Sequence, residues 1–355
     1  MTGAEHFLYE RYRDPGAGSR LRNGYYALKP LLPRTAQLTL RRAYAPRQAR
    51  RAFPAWPIEP LLVERCEAEL LARVRASQQR RVALVSPWPR RHRFAAVLTH
   101  DVEGPAGVEN VLRVIELERA YGFVSSWNFV AEWYPIPAGL FEAVRAAGCE
   151  IGLHGIRHDA ALFRDRAQFE AALPKIARYA REWDVAGFRS PATHRNADWM
   201  AELPVRYDSS FPDTDPFEPM AGGCCSILPF FFGDVVELPI TLVQDHTLFE
   251  ILREPGIERW TEKSDWIMRH HGLVNIIVHP DYVVSAQRLG RYEAFLEYLA
   301  TAQGGWHALP RDVAQWWRER ADLRVDEDGS IAGTSELPAT TAYAREENGA
   351  LVLDV

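Results

Sequence analysis

From Phe94 to about Gly304, short apolar runs alternate with longer stretches in which apolar residues return every three or four positions. The runs FAAVLTH (94–100), VSSWNFV (124–130), CEIGLH (149–154) and VAGFRSP (185–191) have the length of strands, and their continuity suits strands covered on both faces. Between them NVLRVIELERAYG, AGLFEAVRAAG and QFEAALPKIARYAREW carry helical periodicity, the last despite Pro174, and the first two stop at Gly122 and Gly148. Further strands are predicted at PVRYDSS (204–210), DVVELPI (234–240) and LVNIIVH (273–279), with a helix between the last two and another over GRYEAFLEYLATAQG (290–304). Repeated strand–helix units of this kind predict parallel strands and a barrel-like α/β domain.

The two ends follow other patterns. Residues 1 to about 55 are rich in Arg, Tyr and Pro, and Tyr25–Tyr44 has no steady period and is interrupted by Pro30 and Pro33, so it reads as an arm lying on another surface. LLVERCEAELLARVRA (61–76) predicts an amphipathic helix, which VSPWPRR ends. TTAYAREENGALVLDV (340–355) alternates on both sides of Asn348-Gly349 and predicts a hairpin. The expected organisation is a basic arm and helix packed on the barrel (1–92), the α/β barrel (93–320) and a small C-terminal β appendage (321–355).

With 355 residues and 47% hydrophobic content the chain can bury a large core. Its net charge of -5 is uneven: residues 1–92 carry about +11, leaving about -16 on the rest. That asymmetry suits either a solvated Arg-rich face or peripheral contact with anionic lipid. The cysteines at 66, 149, 224 and 225 lack metal-knuckle or redox spacing, and Cys224-Cys225 read as buried thiols. The opening MTGAEHFLYERYRDPG has no apolar signal core, so a cytoplasmic location is expected, and no nucleic-acid-binding motif appears.

In a parallel α/β domain the loops leaving the strand C-termini build the active site. The first run ends in Asp101-Val102-Glu103, two carboxylates on one side of an extended chain. The third ends in His154-Gly155-Ile156-Arg157-His158, and two imidazoles four residues apart can grip one ion if the chain turns helically. Two histidines and one carboxylate make a catalytic zinc-type ligand set that leaves a second carboxylate to act as base. Later strand ends add Arg189, Asp208 and His279, which taken singly fit a surface ion pair, a turn residue and a core histidine. Trp127, Trp199 and Tyr282 fall near strand exits and could stack on a sugar or belong to the core. Asp245-His246 could line the site or cap a helix.

This ordered set resembles the motifs of the polysaccharide deacetylase family, also called NodB-like deacetylases or carbohydrate esterase family 4, over about residues 94–317. The resemblance implies a distorted (β/α) barrel with fewer than eight parallel strands and a divalent metal, foremost Zn2+. It implies Asp101 as general base, Glu103, His154 and His158 as metal ligands, Arg189 orienting the base, and His279 as general acid partnered by Asp208. The implied reaction removes an N-acetyl or related acyl group from an amino sugar or glycan, and the basic N-terminal arm suits peripheral contact with a lipid-linked one. The family has adjacent aspartates where this chain has Asp101-x-Glu103, so base and ligand could exchange, and Gly155 and Asp159 replace its usual Ser/Thr and Pro. Alternatives are a cyclic amide or ureide hydrolase of the same fold and a non-catalytic glycan-binding module.

Overall fold

A computed structural model describes residues 3–13, 33–159, 161–283 and 285–355. Its strands are β1 (Arg81–Val85), β2 (Phe94–Val102), β3 (Ser125–Phe129), β4 (Glu150–Leu153), β5 (Gly187–Phe188), β6 (Tyr207–Asp208), β7 (Phe230–Phe232), β8 (Val235–Glu237), β9 (Leu273–Ile277) and β10 (Gly305–His307). Near the C-terminus follow β11 (Arg324–Val325), β12 (Ile331–Ala332), β13 (Thr341–Glu347) and β14 (Ala350–Asp354).

The large sheet is organised around β2. Along one edge Ala95–Thr99 pairs with β9; along the other, β10 pairs with its start and β3 with Leu98–Val102. All nine of its residues are buried. A strand with both edges paired and both faces covered must be apolar along most of its length, and its polar residues Thr99, His100 and Asp101 come only near its C-terminal end. The parallel order β9-β2-β3-β4-β5-β6-β8 curls, with β7 antiparallel on β8. The chain leaving β8 then turns back to β9, where the amides of Thr241 and Leu242 donate to the Asn275 carbonyl at 3.1 and 3.0 Å. The result is the expected distorted barrel, with seven parallel strands in its curl and β10 an eighth, parallel to the start of β2. Helices Pro105–Ala120 and Ala286–Thr301 press Val111, Val114 and Ile115, and Tyr292, Phe295, Leu296 and Leu299, into its main core.

The N-terminal segment departs from expectation. Residues 34–48 form a helix rather than an irregular arm, because Pro33 stands at its N-cap, where a missing amide hydrogen costs nothing, and Pro46 falls only in its last turn. The part of that stretch from Tyr25 to Leu32 lies outside the described residues. Residues 3–13 dock through Arg195, whose buried guanidinium donates to both Glu10 carboxylate oxygens at 2.8 and 2.6 Å. The expected hairpin, β13–β14, is present and pairs with β1, a strand the periodicity did not reveal, so the two ends of the chain share one sheet. Among the described residues, no helix is long and apolar enough to cross a membrane.

Candidate metal centre and active site

The strand C-termini bring the acidic pair and the histidines together. Asp101 lies opposite Asn128 in the β2–β3 register, and Asn128 lies opposite Gly152 in β4. Asn128 Nδ2 donates to Asp101 Oδ1 at 2.8 Å. A Cβ at residue 152 would fall 1.9 Å from Asn128 Oδ1, so glycine is what lets the Asn128 amide lie flat over β4. Arg189 Nη1 stands 3.5 Å from Asp101 Oδ1 and is held there by bonds from Nη1 to Thr99 Oγ1 (2.9 Å), from Nε to the Ser209 carbonyl (2.7 Å) and from Nη2 to Ser209 Oγ (2.8 Å). Burial alone would raise the Asp101 pKa, but the Arg189 guanidinium beside it, with His279, holds it below the usual carboxylate range.

Glu103 occupies the other side. Its backbone amide donates to Asp281 Oδ2 at 2.9 Å, and Gly107 N donates to Asp281 Oδ1 at 3.1 Å, which fixes the turn between β2 and the following helix. Glu103 Oε1 lies 3.0 Å from His158 Nε2 and Oε2 accepts from the Tyr282 hydroxyl at 2.8 Å. Gly155 takes φ +69, and a Cβ there would meet Pro191 Cδ at 2.8 Å; the left-handed residue turns the chain so that His158 returns towards His154.

His154 decides whether a metal fits. Burial lowers its pKa to about 4, so the ring is neutral near pH 7. Its Nδ1 lies 3.1 Å from the Arg189 carbonyl, which can only accept, so Nδ1 carries the hydrogen and Nε2 the lone pair. That Nε2 is buried with no hydrogen-bond partner, and so is His158 Nε2, despite its short distance to Glu103. These two nitrogens and a carboxylate oxygen converge within 4.8 Å of one another, with His158 and Glu103 3.0 Å apart, as ligands of a common ion do. The donor set fits a divalent ion such as zinc. Asp101 stays outside it, 4.0 Å from His154 Nδ1, on the side away from the lone pair.

His279 faces the same cleft from the end of β9, with Nε2 3.7 Å from Glu103 Oε1. Its Nδ1 lies 2.6 Å from Asp245 Oδ1, and its backbone amide donates to Asp245 Oδ2 at 3.2 Å. Burial would lower its pKa; Asp245 and Glu103 overcome that and raise it to about 10. The expected partner Asp208 is elsewhere: its carboxylate accepts from Ser210 N and Oγ at 3.0 and 2.8 Å and adjoins Glu237. Two of the expected sugar-stacking rings are also corrected. Trp127 is buried and stacks on His100 at 4.1 Å, because alternation along β3 turns it into the core. Trp199 packs with Phe163 and Phe169 under Arg166, in a cluster outside the cleft. Tyr282 does reach the site, 5.3 Å from the His279 ring and 4.9 Å from His246.

Comparison with known folds gives a consistent result. The structure superposes on a putative polysaccharide deacetylase from Mycobacterium smegmatis with a TM-score of 0.54 at 18% identity, over 67% of this chain and 94% of that one. A probable polysaccharide deacetylase from Pseudomonas aeruginosa PAO1 gives 0.52 at 18%, over 66% and 94%. The chain has the polysaccharide deacetylase fold. Puue allantoinase shares it, with a TM-score of 0.51 at 19% identity over 66% and 93%. Neither a family model nor a curated protein matches the sequence.

Within the deacetylase fold, Asn128 and Asp281 are site residues that sequence reasoning missed. Asn128 had a signal, a lone amide in an otherwise apolar strand end, and Asp281 had one in following His279-Pro280. Asp245, weighed as a helix cap, caps nothing with its side chain and serves His279 instead.

Proposed function

We propose that the protein is a metal-dependent hydrolase that removes an N-acetyl or related acyl group from an amino sugar or glycan. The observation that carries this reading is the buried, partnerless Nε2 of a neutral His154, aimed with His158 and Glu103 at one point beside a carboxylate held by Arg189 and Asn128. A divalent ion bound there supplies Lewis acidity for the acyl oxygen and a lowered pKa for water. Asp101, kept ionised, accepts the proton of the attacking water as the new C–O bond forms. His279, kept protonated by Asp245, donates its proton to the nitrogen as the C–N bond breaks, so the amine leaves neutral and the acyl group leaves as the acid. Proton exchange with solvent resets both groups. Tyr282, bonded to Glu103, holds the carboxylate's second oxygen away from the shared point.

The likeness to an allantoinase favours a second reading, opening of a small cyclic amide or ureide by the same groups. Acetate release from N-acetylated glucosamine oligomers, run beside ring opening of allantoin with the protein loaded with Zn2+, separates the two. Deacetylation lost in His154→Ala is the expected result. Retention of activity by that variant, or no divalent metal bound by the wild type, overturns the metal reading.

A further inference from the structure

A concave pocket of about 340 Å³ is built partly from the segment that follows Asp245. Its walls are the helix Arg34–Gln48, the π-helical turn His246–Ile251 that begins directly after Asp245, and the first turns of the helix Ala286–Thr301. Arg42, Arg253, Arg288 and Arg291 line it, against the carboxylates of Glu250 and Glu254. Glu250 is shared by Arg42 and Arg288, and Glu254 pairs outwards with Arg259 at 3.3 Å. Arg253 and Arg291 therefore have no ion-pair partner among the described residues. Arg291 is nonetheless fixed, its guanidinium 4.9 Å from the centre of the Phe249 ring. Arg253 is exposed and holds a left-handed backbone, φ +60. Positioned arginines in excess of carboxylates, at the start of a 16-residue helix, make a receptor for a multiply charged oxyanion.

The pocket is also wired to the chemistry. Arg288 Nη1 donates to the Tyr282 carbonyl at 2.9 Å, and the hydroxyl of that same tyrosine bonds Glu103, so one residue separates pocket and metal centre. We infer that the pocket binds a phosphate or diphosphate group. Resting on the proposed deacylation, that group belongs to the substrate, which is then a phosphorylated or diphosphate-linked acylamino sugar. A soluble sugar phosphate and a sugar carried on a phospholipid-like anchor present the same chemistry to these arginines.

Titration calorimetry of metal-free protein with inorganic pyrophosphate at low ionic strength tests the pocket without turnover. Saturable binding that weakens at least tenfold in R253Q/R291Q is expected; absent binding, or binding that the double variant keeps, overturns the site. Flotation with phosphatidylglycerol vesicles identifies the source: pyrophosphate-sensitive capture supports the pocket on a lipid carrier, and no capture alongside pyrophosphate binding supports it for a soluble ligand. The Zn2+-loaded enzyme is then given N-acetylglucosamine and its 1-phosphate. A wild-type preference for the phosphorylated sugar that falls at least tenfold in R253Q/R291Q supports the substrate assignment, and equal kcat/KM for both sugars overturns it. No turnover of either sugar, with pyrophosphate binding intact, counts against the deacylation and leaves the anion site standing.

Discussion

Two buried histidines with different parts to play sit almost side by side at the top of the barrel. His100 lies 2.6 Å from Glu118 through Nε2 and 2.8 Å from the Val278 carbonyl through Nδ1. His279, the residue after Val278, lies 2.6 Å from Asp245 through Nδ1 and turns Nε2 to the cleft. Both rings are buried and both have a carboxylate at the same distance. What differs is the second nitrogen: His100 has committed both to the protein, while His279 keeps one for a substrate. Glu118 underlines the point, accepting also from the hydroxyls of Ser125 and Tyr292 in a network whose members all hold each other. Burial and a carboxylate partner mark structure as readily as catalysis; an uncommitted nitrogen separates them.

The contrast can be broken or sharpened by substitution. The largest effect is expected from the other uncommitted nitrogens: His154→Ala should abolish stoichiometric zinc, measured by elemental analysis after dialysis, and with it deacylation. His279→Gln should lower kcat by about 10²–10⁴ in protein that still folds and binds zinc, with a loss of urea stability because Asp245 stays buried without its imidazole. His100→Gln should spare kcat and cost about 1–3 kcal/mol in urea unfolding, because Glu118 stays buried and loses the imidazole from a network it shares with Ser125 and Tyr292, with the zinc content of the folded fraction intact. If His100→Gln instead lowers kcat with unchanged stability, the distinction drawn from the second nitrogen is wrong. Gly152→Ala should displace Asn128 and lower kcat more than it changes KM, since it acts on the Asp101 carboxylate and not on the pocket.

The smallest effect concerns a buried carboxyl with no part in the cleft. Glu150 accepts from the Tyr207 hydroxyl and from Arg311 N, and burial raises its pKa from 4.5 to about 7. The folded state then holds a proton that the unfolded state has released, so its contribution is full below pH 4.5 and is lost as pH rises through 7. Over that window the group removes about 3 kcal/mol of stability. Glu150→Gln should flatten the difference between urea midpoints at pH 5 and pH 8 without touching kcat.

The barrel was legible because its strands are covered on both faces, and apolar runs such as FAAVL, or LVNII with its single buried Asn275, follow from that burial. His154, His158, Asp101, Glu103, Arg189 and His279 were legible as groups at strand exits, and the fold brings those six to one cleft. Position at a strand exit does not tell which way a side chain turns. Asp208 occupies such an exit and bends back to Ser210, while Asp245, 34 residues from His279 in sequence, crosses to it from a loop. Trp127 stayed open between sugar and core for a related reason: one step of alternation along β3 decides between cleft and core. The helix Arg34–Gln48 was hidden by prolines that sit at its ends, where they are tolerated.

The shared sheet at the chain ends bears on how the protein is made. Among the described residues β1 has β13 as its one strand neighbour, and Arg75 meets Glu346 across 271 positions of sequence. During synthesis the barrel segments emerge in order and each can pair with a strand already made, but β1 must wait with an open edge until residues 341–347 leave the ribosome. Truncation ahead of Thr341 would therefore strand an unpaired edge at the opposite end of the chain, and self-association of the shortened protein is its natural consequence.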